Sequence, residues 1–162
     1  MAIHFFNEEV SLKLFHLSRL KSWVKATCTK ECKDLGEINF IFCSDDYLLK
    51  LNHEFLKHST YTDIITFDYS DIESVSGDIF ISIDRVYENA KKFKVPLDQE
   101  LLRVVIHGIL HLIGYSDKSK SKKFIMRKKE DEYLSLWNET IVPRGTKKRT
   151  LSVVSRGTKS TK

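Results

Sequence analysis

His107 and His111 are four residues apart in the run LLRVVIHGILHLIG, and Asp117 follows six residues after the second histidine. If that run is helical, the two imidazoles leave the same face one turn apart, already aligned as two ligands for one ion. Gly114 permits the backbone reversal that stops a helix, so the chain can fold back and bring Asp117 to the same ion. Two neutral imidazoles and one carboxylate suit zinc, and three protein ligands leave a fourth position open, the layout of a catalytic site. Two core histidines bonded to neighbouring groups would be the bland alternative. Here they stand among Val104, Val105, Ile106, Ile109, Leu110 and Leu112, where an unpartnered imidazole carries a desolvation cost of ~1–3 kcal/mol. Coordination removes that cost, and one zinc ion per chain is expected. Another divalent transition metal fits the same donors.

The spacing His107-x3-His111-x2-Gly114-x2-Asp117 also resembles the zinc motif of the metzincin proteases. In those enzymes a glutamate follows the first histidine and serves as general base; Gly108 stands there in this chain. A metzincin-like protease is therefore disfavoured.

The elements that must position these residues follow from apolar periodicity. Ile3 to Asn7 reads as a strand, and Leu12, Leu14, Phe15, Leu17, Leu20, Trp23 and Val24 read as a helix. EINFIFCS after Gly36 reads as a second strand, and Ser44 caps a helix carrying Tyr47, Leu48, Leu51 and Phe55. Asp63–Tyr69 and Gly77–Ile83, joined by the polar stretch Ser70–Ser76, suit an antiparallel hairpin. The rest is helical: one helix through Val86, Ala90 and Phe93, one bracketed by Pro96 and Gly114, and one from about Ser121 to Trp137. The expected fold class is α+β, a small mixed sheet of about four strands with one antiparallel hairpin, packed with about five helices.

At 162 residues and 41% hydrophobic content, a single domain over residues 1–142 can bury a core without staples. No signal peptide and no run long enough to span a membrane is read, and a soluble, cytoplasmic protein is expected. Cys28, Cys32 and Cys43 form an odd set; without a second Cys/His pair nearby they read as inert thiols of a reducing compartment. The net charge of +5 is uneven: residues 143–162 hold seven bases and no acid, leaving the remainder slightly acidic at −2. That tail reads as a basic, disordered segment, either an arm for polyanions or a solubilising extension.

HGILHLIGYSD, from His107 to Asp117, resembles the H-G-x-L-H-L-x-G-Y-D-H signature of the YbeY family of rRNA maturation factors. Leu51-Asn52-x-x-Phe55, the stretch Thr62-Asp63-Ile64-Ile65-Thr66-Phe67 and Ser76-Gly77-Asp78-Ile79 are similar to further segments of that family, in the same order. The likeness spans roughly residues 36 to 137. It implies a zinc-dependent endoribonuclease that cuts single-stranded RNA, matures the 3′ end of small-subunit rRNA, takes part in ribosome quality control and associates with the small ribosomal subunit. No membrane or DNA partner is expected. Asp117 replaces the signature's third histidine; a carboxylate still ligates zinc, but it adds negative charge and makes a bound water less acidic. Leu56 occupies the place of the family's arginine, and Lys57 and His58 stand beside it, His58 being the candidate catalytic proton acceptor. Thr62, Asp63 and Asp78 either shape the cleft or simply hold strand ends. A non-catalytic ribosome-assembly factor with a structural zinc is the alternative from a different class.

Overall fold

The computed structural model describes residues 2–14, 16–57 and 61–139, and the backbone of 153–156. Its elements run β1 (Ala2–Glu8), β2 (Ser11–Leu14), α1 (Leu17–Lys30), β3 (Asp34–Cys43), α2 (Asp45–Leu56), β4 (Ile64–Asp68), β5 (Ser74–Ser82), α3 (Ile83–Phe93), α4 (Leu97–Ile113), α5 (Lys120–Glu139) and β6 (Val153–Arg156). The main sheet has the order β1-β3-β5-β4; β1, β3 and β5 are parallel, and β4 pairs antiparallel with β5. Among the described residues this is the mixed four-stranded α+β architecture expected, with its one antiparallel hairpin and five helices.

Strand alternation decides which helix covers which face. Along β5, Val75, Gly77, Ile79 and Ile81 are buried in the main core with Ile38, Phe40 and Phe42 of β3. Leu101, Val105, Ile109 and Leu112 of α4 and Leu20 and Val24 of α1 belong to the same core. The opposite face carries Ile65, Phe67 and Phe80, and Leu48 and Leu51 of α2 close over them. Side chains of successive strand residues point to opposite faces, so the two clusters stay separate. Trp23 donates its indole N–H to the Tyr133 carbonyl at 2.7 Å, fastening α1 to α5.

One helix starts later than its apolar pattern suggests. Leu12 and Leu14 lie in β2 rather than in α1, and His16 precedes the helix with a left-handed φ of 62° that interrupts any continuous turn. Ser-Leu-Lys-Leu fits a period of two as well as a helical stripe, and burial of Leu12 is satisfied by the strand. Phe15 lies outside the described residues, as does most of the basic tail. Within that tail, 153–156 pairs antiparallel with Ser11–Leu14.

Candidate metal centre

Ten of the 17 residues of α4 are buried, and its C-terminal half carries the candidate ligands. Asp98 and Glu100 in its first turn suit the helix dipole. At the other end Gly114, with φ 126°, donates its N–H to the His111 carbonyl at 3.1 Å, while the Tyr115 N–H reaches the Leu110 carbonyl at 3.0 Å. That closure satisfies two of the last carbonyls and turns the chain back along the helix. Tyr115 is anchored beyond the turn: its hydroxyl and that of Tyr133 both donate to the Glu31 carboxylate, which also takes Lys129 Nζ at 3.1 Å. The return segment that delivers Asp117 is thus tied to α1 and α5.

The three sequence-predicted ligands converge. The rings of His107 and His111 have centroids 4.5 Å apart, and Asp117 Oδ2 stands 3.5 Å from His107 Nε2 and 3.4 Å from His111 Nε2. One donor atom from each residue lies within 4.8 Å of the others. Two donors each about 2.1 Å from one ion at the tetrahedral angle stand about 3.4 Å apart, so the residues fit a divalent cation. His107 Nδ1 is engaged by Glu130 Oε2 at 2.8 Å, which leaves Nε2 as the nitrogen offered to the cluster. Glu130 is buried and also accepts from Arg103 Nη1 at 3.0 Å, and Arg103 reaches Asp131 at 2.8 Å.

Charge is distributed unequally over the two histidines. Burial alone would lower the His107 pKa, but Glu130, Asp63 and Asp117 outweigh it and hold the ring above its usual range. Burial and the neighbouring His107 lower that of His111. Burial likewise pushes the carboxyls of Asp63 and Glu100 upward, only partly countered by His107 and Arg103 respectively. A cleft of about 490 Å³ opens here, lined among others by His107, Asp117, Asp63, Phe93, Lys123 and Arg127.

The remaining candidates divide. His58 lies outside the described residues. Lys57 ends α2 in a left-handed conformation with φ 56°, and Leu56 beside it is exposed. Asp63 lines this cleft, whereas Asp78 accepts a hydrogen bond from Asn39 Nδ2 at 2.9 Å across β3 and β5, and the Thr62 hydroxyl donates to the Ile64 carbonyl at 3.3 Å. Cys28 and Cys43 are buried thiols, pushed up by burial to about 11 and about 12; Cys32 lies past the end of α1 and shares no helix face with Cys28. Gly108 faces the sheet. A Cβ there would stand 2.8 Å from Ile79 Cγ2 and 3.0 Å from Ile64 Cδ1, so a protease-type glutamate at this position would point into the core and away from the ligands.

Glu130 and Arg103 escaped the sequence reading. The signal was present: Glu130 lies on the buried stripe of α5 with Met126, Tyr133, Leu134 and Trp137. A carboxylate on an apolar stripe, near a helix bearing candidate metal-binding histidines, is the type of partner that orients such a ring.

Fold and cluster together define an α+β domain whose central helix and the turn after it present three residues that could hold a metal ion. The chain belongs to the Endoribonuclease YbeY family, whose profile matches residues 3–138. It is 50% identical over 133 residues to the Endoribonuclease YbeY of Flavobacterium psychrophilum, covering 82% of this chain and 95% of that protein. The Cytophaga hutchinsonii protein of the same name is 48% identical over 135 residues, 83% of this chain and 94% of its own. The solution structure of TM1509 from Thermotoga maritima is similar with a TM-score of 0.58 and 31% identity, over 90% of this chain and all of that one.

Proposed function

We propose that this chain is a zinc-dependent endoribonuclease that cuts single-stranded RNA, acting in maturation of the small-subunit rRNA 3′ end and in ribosome quality control. The convergence of His107, His111 and Asp117 beside an open cleft carries the reading, and family membership supplies the substrate class. A zinc ion held by these three residues would supply Lewis acidity toward a phosphodiester. Glu130 fixes the His107 ring by its Nδ1 proton, with Arg103 holding Glu130 in place. Asp63 lines the cleft and is the group proposed to exchange a proton with substrate. His58 is the second proposed proton acceptor. The small ribosomal subunit is the proposed partner and the cytoplasm the proposed compartment; among the described residues no helix is long and apolar enough to cross a membrane.

Labelled single-stranded RNA should be cut by the full chain, lose cutting under a chelator, and regain it with added zinc. His111→Ala should bind zinc poorly and cut at background. A variant matching the parent in both would end the proposal. One observation favours the assembly-factor reading: Leu56, not a cation, stands exposed at the end of α2. RNA binding that persists through chelation, with no product at any metal concentration, would establish that reading instead.

A further inference from the structure

The metal cleft has a second wall that the ligand set does not use. Phe93, the last residue of α3, belongs to that helix's apolar pattern, yet it is 54% exposed and lines the same cleft as His107 and Asp117. A phenyl ring left half in water on the wall of a polar cleft adds little to the core. It does offer a flat face to a planar ligand, and Lys92 Nζ lies 5.6 Å from its centroid. To the same cleft α5 contributes Lys123 and Arg127, one helical turn apart on one face.

Of the four acids that line the cleft, Glu130 is bonded to His107 and Arg103, Asp117 faces the two histidines and Glu100 is buried, with Asp63 the fourth. Among the described residues no carboxylate lies within ion-pair distance of Lys123. Arg127 is exposed and only grazes Glu130, at 3.8 Å. Two solvent-facing cations and an exposed ring, in the cleft that His107 and Asp117 also line, match the two recurring features of a polynucleotide strand: anionic phosphates and bases with a π-face.

The geometry points to a strand-holding subsite in which one nucleobase stacks on Phe93 while Lys123 and Arg127 engage adjoining phosphates, setting an unpaired RNA strand against the metal centre. This assignment rests on the endoribonuclease reading and names how that site recognises its substrate. A base within a duplex has both faces stacked and cannot use the Phe93 ring, so the subsite selects unpaired RNA.

The test measures binding of the full-length, zinc-loaded chain to a 2′-O-methylated octanucleotide by fluorescence anisotropy, with cleavage of unmodified RNA followed in parallel. Phe93→Leu keeps the apolar volume and removes the ring. It should weaken binding about tenfold or more, and an abasic residue that weakens the parent similarly should cost the variant almost nothing. Lys123→Gln combined with Arg127→Gln should reduce the slope of log affinity against log salt by about 1.4, the value for two phosphates on a single strand. Zinc affinity should be unchanged in all three substitutions, separating strand binding from damage to the triad. Parent-like affinity, abasic penalty and salt slope in the variants, with the parent cutting normally, would overturn the subsite and leave the nuclease intact. A parent that neither binds nor cuts would remove the endoribonuclease reading itself.

Discussion

Glu130 Oε2 and His107 Nδ1 stand 2.8 Å apart, a contact between α5 and α4 made beneath the ligand cluster. The carboxylate can only accept, so it selects the tautomer with a proton on Nδ1 and turns Nε2 toward Asp117. Glu130→Gln keeps the shape but presents an amide that can equally donate, losing that selection. Zinc affinity should fall about 10- to 100-fold, as when such backing partners are removed from metal-binding histidines. Competition against a chromophoric chelator measures it, and an affinity equal to the parent's would show that the contact does not orient the ring.

Gly108 tests the seating of α4 on the sheet. Alanine normally gains about 1 kcal/mol over glycine inside a helix. Here the added methyl would meet Ile79 Cγ2 at 2.8 Å, and Ile79 is a fully buried, β-branched residue of the central sheet with little freedom to yield. Overpacking of about 1–3 kcal/mol outweighs the propensity gain. Gly108→Ala should therefore lower the free energy of unfolding by up to about 2 kcal/mol, read from urea denaturation. A stabilised variant would mean that the helix can lift off the sheet without loss.

How far the site was legible depended on whether its determinants were local. His107, His111, Gly114 and Asp117 occupy one helix and its terminating turn, so spacing alone placed them. Ser44 was readable for the same reason, since its side chain caps the Tyr47 N–H three residues on. The partner of His107 lies 23 residues away on another helix, and Phe93 became a cleft residue only through packing of α3 beside α4. Leu12 and Leu14 show the reverse difficulty: a stripe that both periodicities accept was assigned by the left-handed turn at His16, which composition does not announce.

Glu31, which anchors the segment that delivers Asp117, makes stability depend on pH. Burial would raise its pKa, but hydrogen bonds from Tyr115, Tyr133 and Lys129 outweigh burial and leave it below the ordinary carboxylate range. A folded pKa depressed below the unfolded value gives stability that is present above about pH 4.3 and is lost as pH falls through the folded value. Glu31→Gln should cost about 2 kcal/mol at pH 7, the scale of hydrogen bonds to a charged group. The gap between parent and variant should narrow progressively below about pH 4.3. Denaturant titrations at a series of pH values would show it, and a gap independent of pH down to 2 would rule out this origin.

Asp117 departs from the three-histidine signature of the family, and its effect on chemistry has a definite sign. Its carboxylate stands 3.4 to 3.5 Å from both imidazoles and brings one negative charge to an otherwise neutral donor set. With a divalent cation bound, the site's net charge is one unit lower than with three histidines, so a proton leaves a water at the site less readily. The Asp117 side chain is 40% exposed, which leaves room for an imidazole. Asp117→His should keep metal binding and shift the rising limb of the kcat/KM profile about one unit toward lower pH; each such unit corresponds to about 1.4 kcal/mol. Asp117→Ala should instead lose metal affinity while its pH profile, once zinc is forced to saturation, also moves down. A profile in Asp117→His that stayed where the parent's lies would mean that the carboxylate does not govern the proton being lost.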